Sequence, residues 1–347
     1  MKISILIPGH NEEKSIARCL DSCLNQSRPL DEIVVVNDGS TDRTGEILAT
    51  YGDKIKVVNK EAMPGSNKSY AQEYGLPHVT GDVMITTDAD TILDRDFVKY
   101  IEESFVRNPD AKAVSGYVRS MRHNWLTLCR AFEYSLGQNL HKLSQHHFDF
   151  LFVIPGAAGA FDTQTFKDYL TFEHDVITED LDFTYRLHQG DFKIVYDRRA
   201  VVYTEDPATF HSYINQVRRW FSGGWQCLAK HWRLALTQPK IAFGLSLIYT
   251  EAVLFSVLLF ILPLLSIKTF LTLMLWYLVL THILAAVAAW KERRLALLLS
   301  PVPYLLLTYV HIYVLFEQFI KELVLKKKTL SWFHPERKQM TEQILGN

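Results

Sequence analysis

The chain of 347 residues is poor in cysteine: Cys19, Cys23, Cys129 and Cys227 are all it has, and no two form a CxxC pair. That excludes a disulfide scaffold and a cysteine zinc site. Cys19 and Cys23 stand i,i+4, the spacing of two thiols packed on one helix face, and the setting expected is a reducing one. Charge of one sign is lacking too. Lys and Arg total 37 against 38 Asp and Glu, a formal net charge of −1, which argues against a nucleic-acid binder held by bulk positive potential. Low-complexity tracts and internal repeats are missing. The opening MKISILIPGH has one lysine and a short apolar run, too short for the core of a signal peptide. Export of the N-terminus is therefore not expected.

Apolar residues are plentiful, at 48%, yet mean hydropathy is only +0.01. Their distribution explains the mean. Residues 243–267 contain one charged side chain, Glu251, while 269–290 and 295–316 contain none. Each run is long enough, at ~1.5 Å per residue, to cross a hydrocarbon core of ~30 Å. Lys230, Arg233 and Lys240 precede the first run, Lys291, Arg293 and Arg294 follow the second, and only Lys268 lies between. The first two runs thus read as a hairpin with both ends in the cytoplasm. A full crossing by the third would put Lys326, Lys327 and Lys328 outside, and Pro301 and Pro303 stand near its start. A crossing and a re-entrant or interfacial segment both stay open. Residues 125–152 mix aromatic, aliphatic and basic side chains, as a helix at the membrane interface would and an ordinary amphipathic core helix also would, and the nearby apolar runs favour the interface. The expected division is a catalytic domain with interfacial helices over 1–240 and a membrane domain with a basic tail over 241–347.

Upstream, residues 3–7, 33–36, 55–58 and 83–86 read as short buried strands, with polar helical stretches at 15–24 and 43–51 between them. This alternation predicts an α/β fold with a doubly wound, mostly parallel sheet, whose ligands bind beyond the carboxyl ends of the strands. The chemistry-bearing motifs fall at such ends. PGHNEE (8–13) follows the first strand and VNDGSTD (36–42) ends the second. Asp38 suits a uracil imide N–H and Gly39 a close backbone approach, although Asp38-Gly39-Ser40 equally makes a turn before a helix starting near Thr41. At the end of the fourth strand stand Asp88 and Asp90, a DxD pair that a divalent cation would neutralise. Asp94 and Asp96, after the turn, read as helix-start residues.

Thr178-Glu179-Asp180 precedes a helical stretch. Asp180 suits a general base whose proton affinity Glu179 raises as a neighbouring like charge, or Thr178 is an N-cap with acids in the first turn. In Gln216-Val217-Arg218-Arg219-Trp220, Arg219 offers a fork for phosphate oxygens and Trp220 a flat face for a sugar ring. Both arginines serve equally as interfacial anchors.

The series PGHNEE, VNDGSTD, DAD, TED and QVRRW, followed by apolar spans, resembles the membrane-bound, often processive family 2 glycosyltransferases. These include the cellulose, chitin, hyaluronan and poly-N-acetylglucosamine synthases. The resemblance runs from residue 3 to about 224 and more loosely through the spans. It implies a GT-A fold, inversion at the anomeric carbon, Mg²⁺ or Mn²⁺, and transfer from a UDP-sugar, by likeness UDP-N-acetylglucosamine, to a growing polysaccharide. It also implies a multi-pass plasma-membrane protein with a cytoplasmic catalytic domain. Carried over by motif, Pro8, Glu12, Asp38 and Lys68 line the uridine site and Asp88 sits near the nucleotide. Asp90 holds the metal and Asp180 is the base. Glu179, Gln216, Arg219 and Trp220 serve the diphosphate and acceptor side, with GAAGAF (156–161) flanking the acceptor. Two departures are Gly9-His10 in the first motif, where relatives often carry a small residue and an aromatic, and the lack of helices before the catalytic domain. The second makes a homo-oligomer, an accessory membrane subunit, or transfer of one sugar to a lipid-linked acceptor an alternative to a single-chain polymerase. A non-catalytic subunit of a synthase is the reading from another class. No nucleic-acid partner is expected.

Overall fold

The computed structural model describes residues 1–63, 67–121, 124–328 and Leu330, except for the side chain of Ile248. It forms two compact units, the first built from Met1–Arg119 and Leu151–Glu205, the second from Ser120–Phe150 and Asp206–Thr329. Residues 120–150 and 206–240 fall in the second unit with the three apolar helices.

In the first unit, β1 (Ile3–Gly9) is buried along its whole length, which is why it reads as an unbroken apolar run. It pairs in parallel with β2 (Glu32–Asp38) on one side and β4 (Val83–Thr86) on the other, and β2 pairs in parallel with β3 (Lys56–Lys60). The predicted strands thus appear where expected. Beyond β4 the sheet turns antiparallel through β5 (Thr91–Leu93), β6 (Ala111–Met121), β7 (Gly159–Asp162) and β8 (Lys193–Glu205), giving the order β3-β2-β1-β4-β7-β6-β8-β5.

Helix α1 (Ile16–Leu24) buries Ile16, Cys19, Leu20 and Cys23 on one stripe, so the i,i+4 thiols are packed, free cysteines. Helix α2 (Thr44–Ala49) starts three residues later than the turn reading placed it, because the Asp42 carboxylate accepts the Thr44 N–H at 2.9 Å. Helices α3 (Lys68–Gly75), α4 (Phe97–Arg107) and α5 (Glu179–Gln189) complete the unit. Asp96 occupies the N-cap position of α4. Thr178 occupies that of α5, but its side chain makes no capping bond. Phe161, Phe166, Phe172 and Phe183 meet mainly edge to face, with centroids 5.0–6.3 Å apart, and fasten β7 and the approach to α5 into one core.

The second unit is helical. A capping box at Asn124 opens the helix Trp125–Leu136, which packs Leu128, Ala131 and Phe132 against Ala285, Ala288 and Ala289. Among the described residues, three helices are long and apolar enough to span a membrane: Pro239–Leu265, Ile267–Glu292 and Pro301–Val324. The third apolar run is split. Leu295–Leu299 is a short 3₁₀ helix, and Pro301 stands at the first turn of the next helix, where its missing N–H leaves no hydrogen bond unmade. The prolines thus start this helix instead of breaking it. The helix Phe210–Lys230 lies along it: Tyr213 and Val217 pack with Leu307 and Val314, Trp225 Nε1 donates to the Leu315 carbonyl at 3.0 Å, and Gln226 Nε2 donates to the buried Glu322 at 3.0 Å. Arg218 holds Glu317 with two bonds of 2.8 Å.

Candidate active site

The carboxyl ends of β1, β2 and β4 carry the sequence motifs, as the topology requires. Pro8 lies in β1 opposite Val36. Asp38, only 8% exposed, closes β2, and Lys60 stands opposite it in the β2–β3 register. Lys60 Nζ meets Asp38 Oδ1 at 2.6 Å, and His10 Nδ1 lies 2.6 Å from the Asp38 carbonyl oxygen. Gly39 follows with φ +61°, and a Cβ there would fall 2.6 Å from Ala62, so only glycine fits. Asn11, also at positive φ, accepts the Thr41 N–H at 2.8 Å, while the Glu12 carboxylate takes the Ser15 hydroxyl at 2.5 Å. Glu12 therefore helps to fasten the entry of α1.

A second group forms where α3, the end of β4, the loop before β7 and the start of α5 converge. Asn67 caps α3 by accepting the Ser69 N–H at 3.0 Å, which sets Lys68 in the first turn. Lys68 Nζ reaches Asp88 at 2.5 Å and Glu179 at 3.1 Å. Thr87 Oγ1 donates to the Ala157 carbonyl at 3.0 Å, tying the strand end to the GAAGAF loop. The next amide in that loop region, Gly156 N–H, donates to Asp180 Oδ2 at 3.2 Å, and Leu181 N–H donates to Oδ1 at 2.9 Å. A Cβ on Gly156 would stand 2.8 Å from Lys68 Nζ. The small residue is what lets the backbone reach Asp180 beside the ammonium group.

Charge decides the behaviour of this group. Burial works against the Lys68 ammonium, but Asp88 and then Glu179 outweigh it and hold the amine protonated far above the usual lysine range. Asp180 moves the other way. Burial first, then the charge of Glu179, pushes its carboxyl up to about 6, against the opposing pull of Lys68 and the two amides. A carboxylate poised there can take a proton near neutral pH.

Asp90 stands two residues beyond Asp88, with Thr91 Oγ1 3.3 Å from its Oδ1. Among the described residues no three His, Cys, Asp or Glu side chains gather as a metal cage. An oxygen-only site with one or two carboxylates fits a hard cation that draws its other ligands from water and phosphate, as Mg²⁺ and Mn²⁺ do in nucleotide sites.

The QVRRW residues belong to the second unit. Arg218 is committed to Glu317, and the Gln216 side-chain oxygen is buried without a hydrogen-bond partner among the described residues. Arg130, 1% exposed, lies 4.6 Å from the Trp220 ring centre, so its guanidinium covers a face of that ring. Arg130 is held in turn by Glu133 at 2.5 Å and by Asp206 at 3.5 Å. The first unit thus brings Lys68, Asp88, Glu179 and Asp180 together, with Asp38 at the neighbouring strand end, and Gln216, Arg219 and Trp220 share one helix elsewhere in the chain. Lys60, the Gly156 amide and Arg130 were missed by sequence reasoning. Lys60 carries no motif, and only the β2–β3 register reveals it.

Comparison with known proteins fits this geometry. Residues 4–162 match the family model described as Glycosyl transferase family 2. Over 243 residues the chain is 30% identical to a poly-beta-1,6-N-acetyl-D-glucosamine synthase of Staphylococcus epidermidis, covering 69% of this chain and 58% of that protein. A synthase of the same name from Staphylococcus aureus (strain COL) is 28% identical over 229 residues, 66% of this chain and 56% of that one. The chain thus spans less than two thirds of these relatives. The mannosyltransferase PcManGT from Pyrobaculum calidifontis, solved in complex with GDP-Man and Mn²⁺, aligns over 94% of this chain and 88% of its own, with a TM-score of 0.66 and 21% identity. That likeness identifies the fold as GT-A.

Proposed function

We propose that this chain, whose residues 4–162 match the family 2 glycosyltransferase model, transfers a sugar from a UDP-sugar, with inversion, to a growing polysaccharide at the cytoplasmic face of the plasma membrane. The observation that carries this reading is Asp180: a carboxylate with its proton affinity raised to about 6, held by the Gly156 and Leu181 amides next to the Lys68 ammonium.

In a single displacement, Asp180 takes the proton of the acceptor hydroxyl as that oxygen bonds to the anomeric carbon. The bond from that carbon to the diphosphate oxygen breaks on the opposite face, and UDP leaves with the electron pair. Asp38 accepts from the uracil imide N–H, with Pro8 and Glu12 beside it. Lys68 pairs with Asp88 and Glu179 in the floor of the donor site, and Arg219 meets the diphosphate with Gln216 nearby. Trp220, backed by Arg130, offers its other face to the acceptor glycan. Asp90 would hold the Mg²⁺ or Mn²⁺, which when bound supplies positive charge to the leaving diphosphate. The names of the staphylococcal relatives point to UDP-N-acetylglucosamine as donor and to a glycan as acceptor. The basic residues flanking the apolar hairpin support a cytoplasmic catalytic unit.

The test is UDP release by the purified chain in lipid, with a panel of UDP-sugars and Mg²⁺ or Mn²⁺, followed by sizing of radiolabelled product. Release that stops with EDTA and returns with the metal, together with long product, is the expected result. A product extended by one sugar would overturn the polymerase reading, and turnover indifferent to chelation would remove the metal from Asp90.

A further inference from the structure

One imidazole outside the reacting group is gripped by three residues of the helix that carries Lys68. His174 lies in the segment between the aromatic core and α5. Its Nδ1 is 2.8 Å from Ser69 Oγ, its Nε2 is 3.0 Å from Glu73 Oε2, and its ring stacks on Tyr70 with centroids 3.5 Å apart and planes at 11°. The Glu73 carboxylate only accepts, so Nε2 carries a proton, and Nδ1 shares the other bond with the Ser69 hydroxyl. Serine, histidine and acid in a row suggest a nucleophile, but Ser69 is 3% exposed and its Oγ lies 2.5 Å from Asn67 Oδ1, so it is occupied in the cap of α3. The arrangement is a clamp. Its position gives it leverage: the same first turns of α3 present Lys68, and four residues after His174 the chain enters Thr178-Glu179-Asp180. The far end of the segment is fixed separately, by Arg186 donating to the carbonyls of Tyr169 at 2.7 Å and Thr171 at 3.1 Å.

We infer that His174 is a positioning residue, which locks the α3 N-terminus to the chain entering α5 and so sets Lys68 between Asp88 and Glu179. This rests on the reading of Lys68 as part of the donor site. His174 touches none of the reacting groups and acts through Ser69, Tyr70 and Glu73.

The test uses the full chain and the substitutions His174→Phe, Lys68→Met and both together. His174→Phe keeps a ring against Tyr70 and removes both hydrogen bonds. UDP affinity, measured by calorimetry with Mn²⁺, is expected to fall about tenfold in each single variant and no further in the double one, since neighbours in one network couple and distant sites add. Additive losses, or unchanged affinity in His174→Phe, would overturn the inference. His174→Gln, which keeps a donor toward Glu73, is expected to recover part of the affinity. Amide hydrogen exchange gives a readout that needs no nucleotide: His174→Phe is expected to speed exchange in 68–75 and 171–178 together, and loss of protection in 171–178 alone would overturn the clamp. A wild-type chain that binds no UDP at all would sink the donor reading, while the exchange result still decides on His174.

Discussion

In Asp180→Asn the side chain keeps its shape and loses its charge, and two opposite effects follow. Folding lifts the Asp180 carboxyl from 3.8 to about 6. At about 1.36 kcal/mol per pH unit, holding the anion in the folded state costs at most about 3 kcal/mol. Between these two values the folded carboxyl keeps a proton that the unfolded one has released, so rising pH weakens the fold across that window and no further above it. The variant has no such slope. Like the protonated acid, an amide offers one acceptor oxygen where the carboxylate offers two, so the acceptor lost to Gly156 or Leu181 N–H is already contained in the shift of the Asp180 carboxyl. Asp180 is also part-exposed, which trims the charge effect. The net gain above about pH 6 is therefore about 1–2 kcal/mol, and it vanishes toward about pH 4. Turnover moves the other way, falling about 100- to 10,000-fold as a general base is removed. Thermal unfolding from pH 4 to 8, UDP release and UDP calorimetry measure the three quantities on the same preparation. UDP affinity lost in proportion to turnover would mean that Asp180 is not the base, and an unfolding midpoint unchanged above pH 6 would refute the buried-charge account.

Lys68→Met removes the cation that holds the proton affinity of Asp180 down, so the acid limb of the rate profile is expected to move to higher pH; a limb that stays put would separate the two residues. Gly156→Ala places a methyl group 2.8 Å from Lys68 Nζ, and turnover is expected to fall with little change in the overall fold, as read by circular dichroism and initial rates. Breaking the Arg218–Glu317 pair with Arg218→Met is expected to lower the unfolding midpoint, and Glu317→Gln in the same chain to restore part of it, because the second change removes the carboxylate left alone. Additive destabilisation would count against that account.

How far the residues alone reveal this molecule differs along the chain. The strands β1, β2 and β4 are legible because both faces are covered and β-branched runs end at turn residues. The order of the antiparallel strands is not, since β5 to β8 pair across long separations in sequence. The Asp180 site was half visible: Glu179 is its neighbour in sequence and was expected to raise its proton affinity, which it does, while burial, the larger cause, depends on the loop around Gly156. Lys60 becomes meaningful only once β3 is set beside β2. Trp220 looked like a bare stacking face because the guanidinium that covers one side of it comes from Arg130, far back in the chain.

The third apolar helix is not an independent rod. From His311, whose Nε2 lies 2.6 Å from the Tyr213 hydroxyl, to Glu322 it is zipped to the helix that carries Gln216, Arg219 and Trp220. A helix in a bilayer adjusts its tilt to the local hydrocarbon thickness, and a partner fastened at several successive turns has to follow. Where this helix crosses a bilayer, membrane thickness becomes an input to the geometry of the QVRRW segment. Reconstitution in lipids of graded acyl length is then expected to change affinity for the acceptor, through Trp220, and for the donor diphosphate, through Arg219, together.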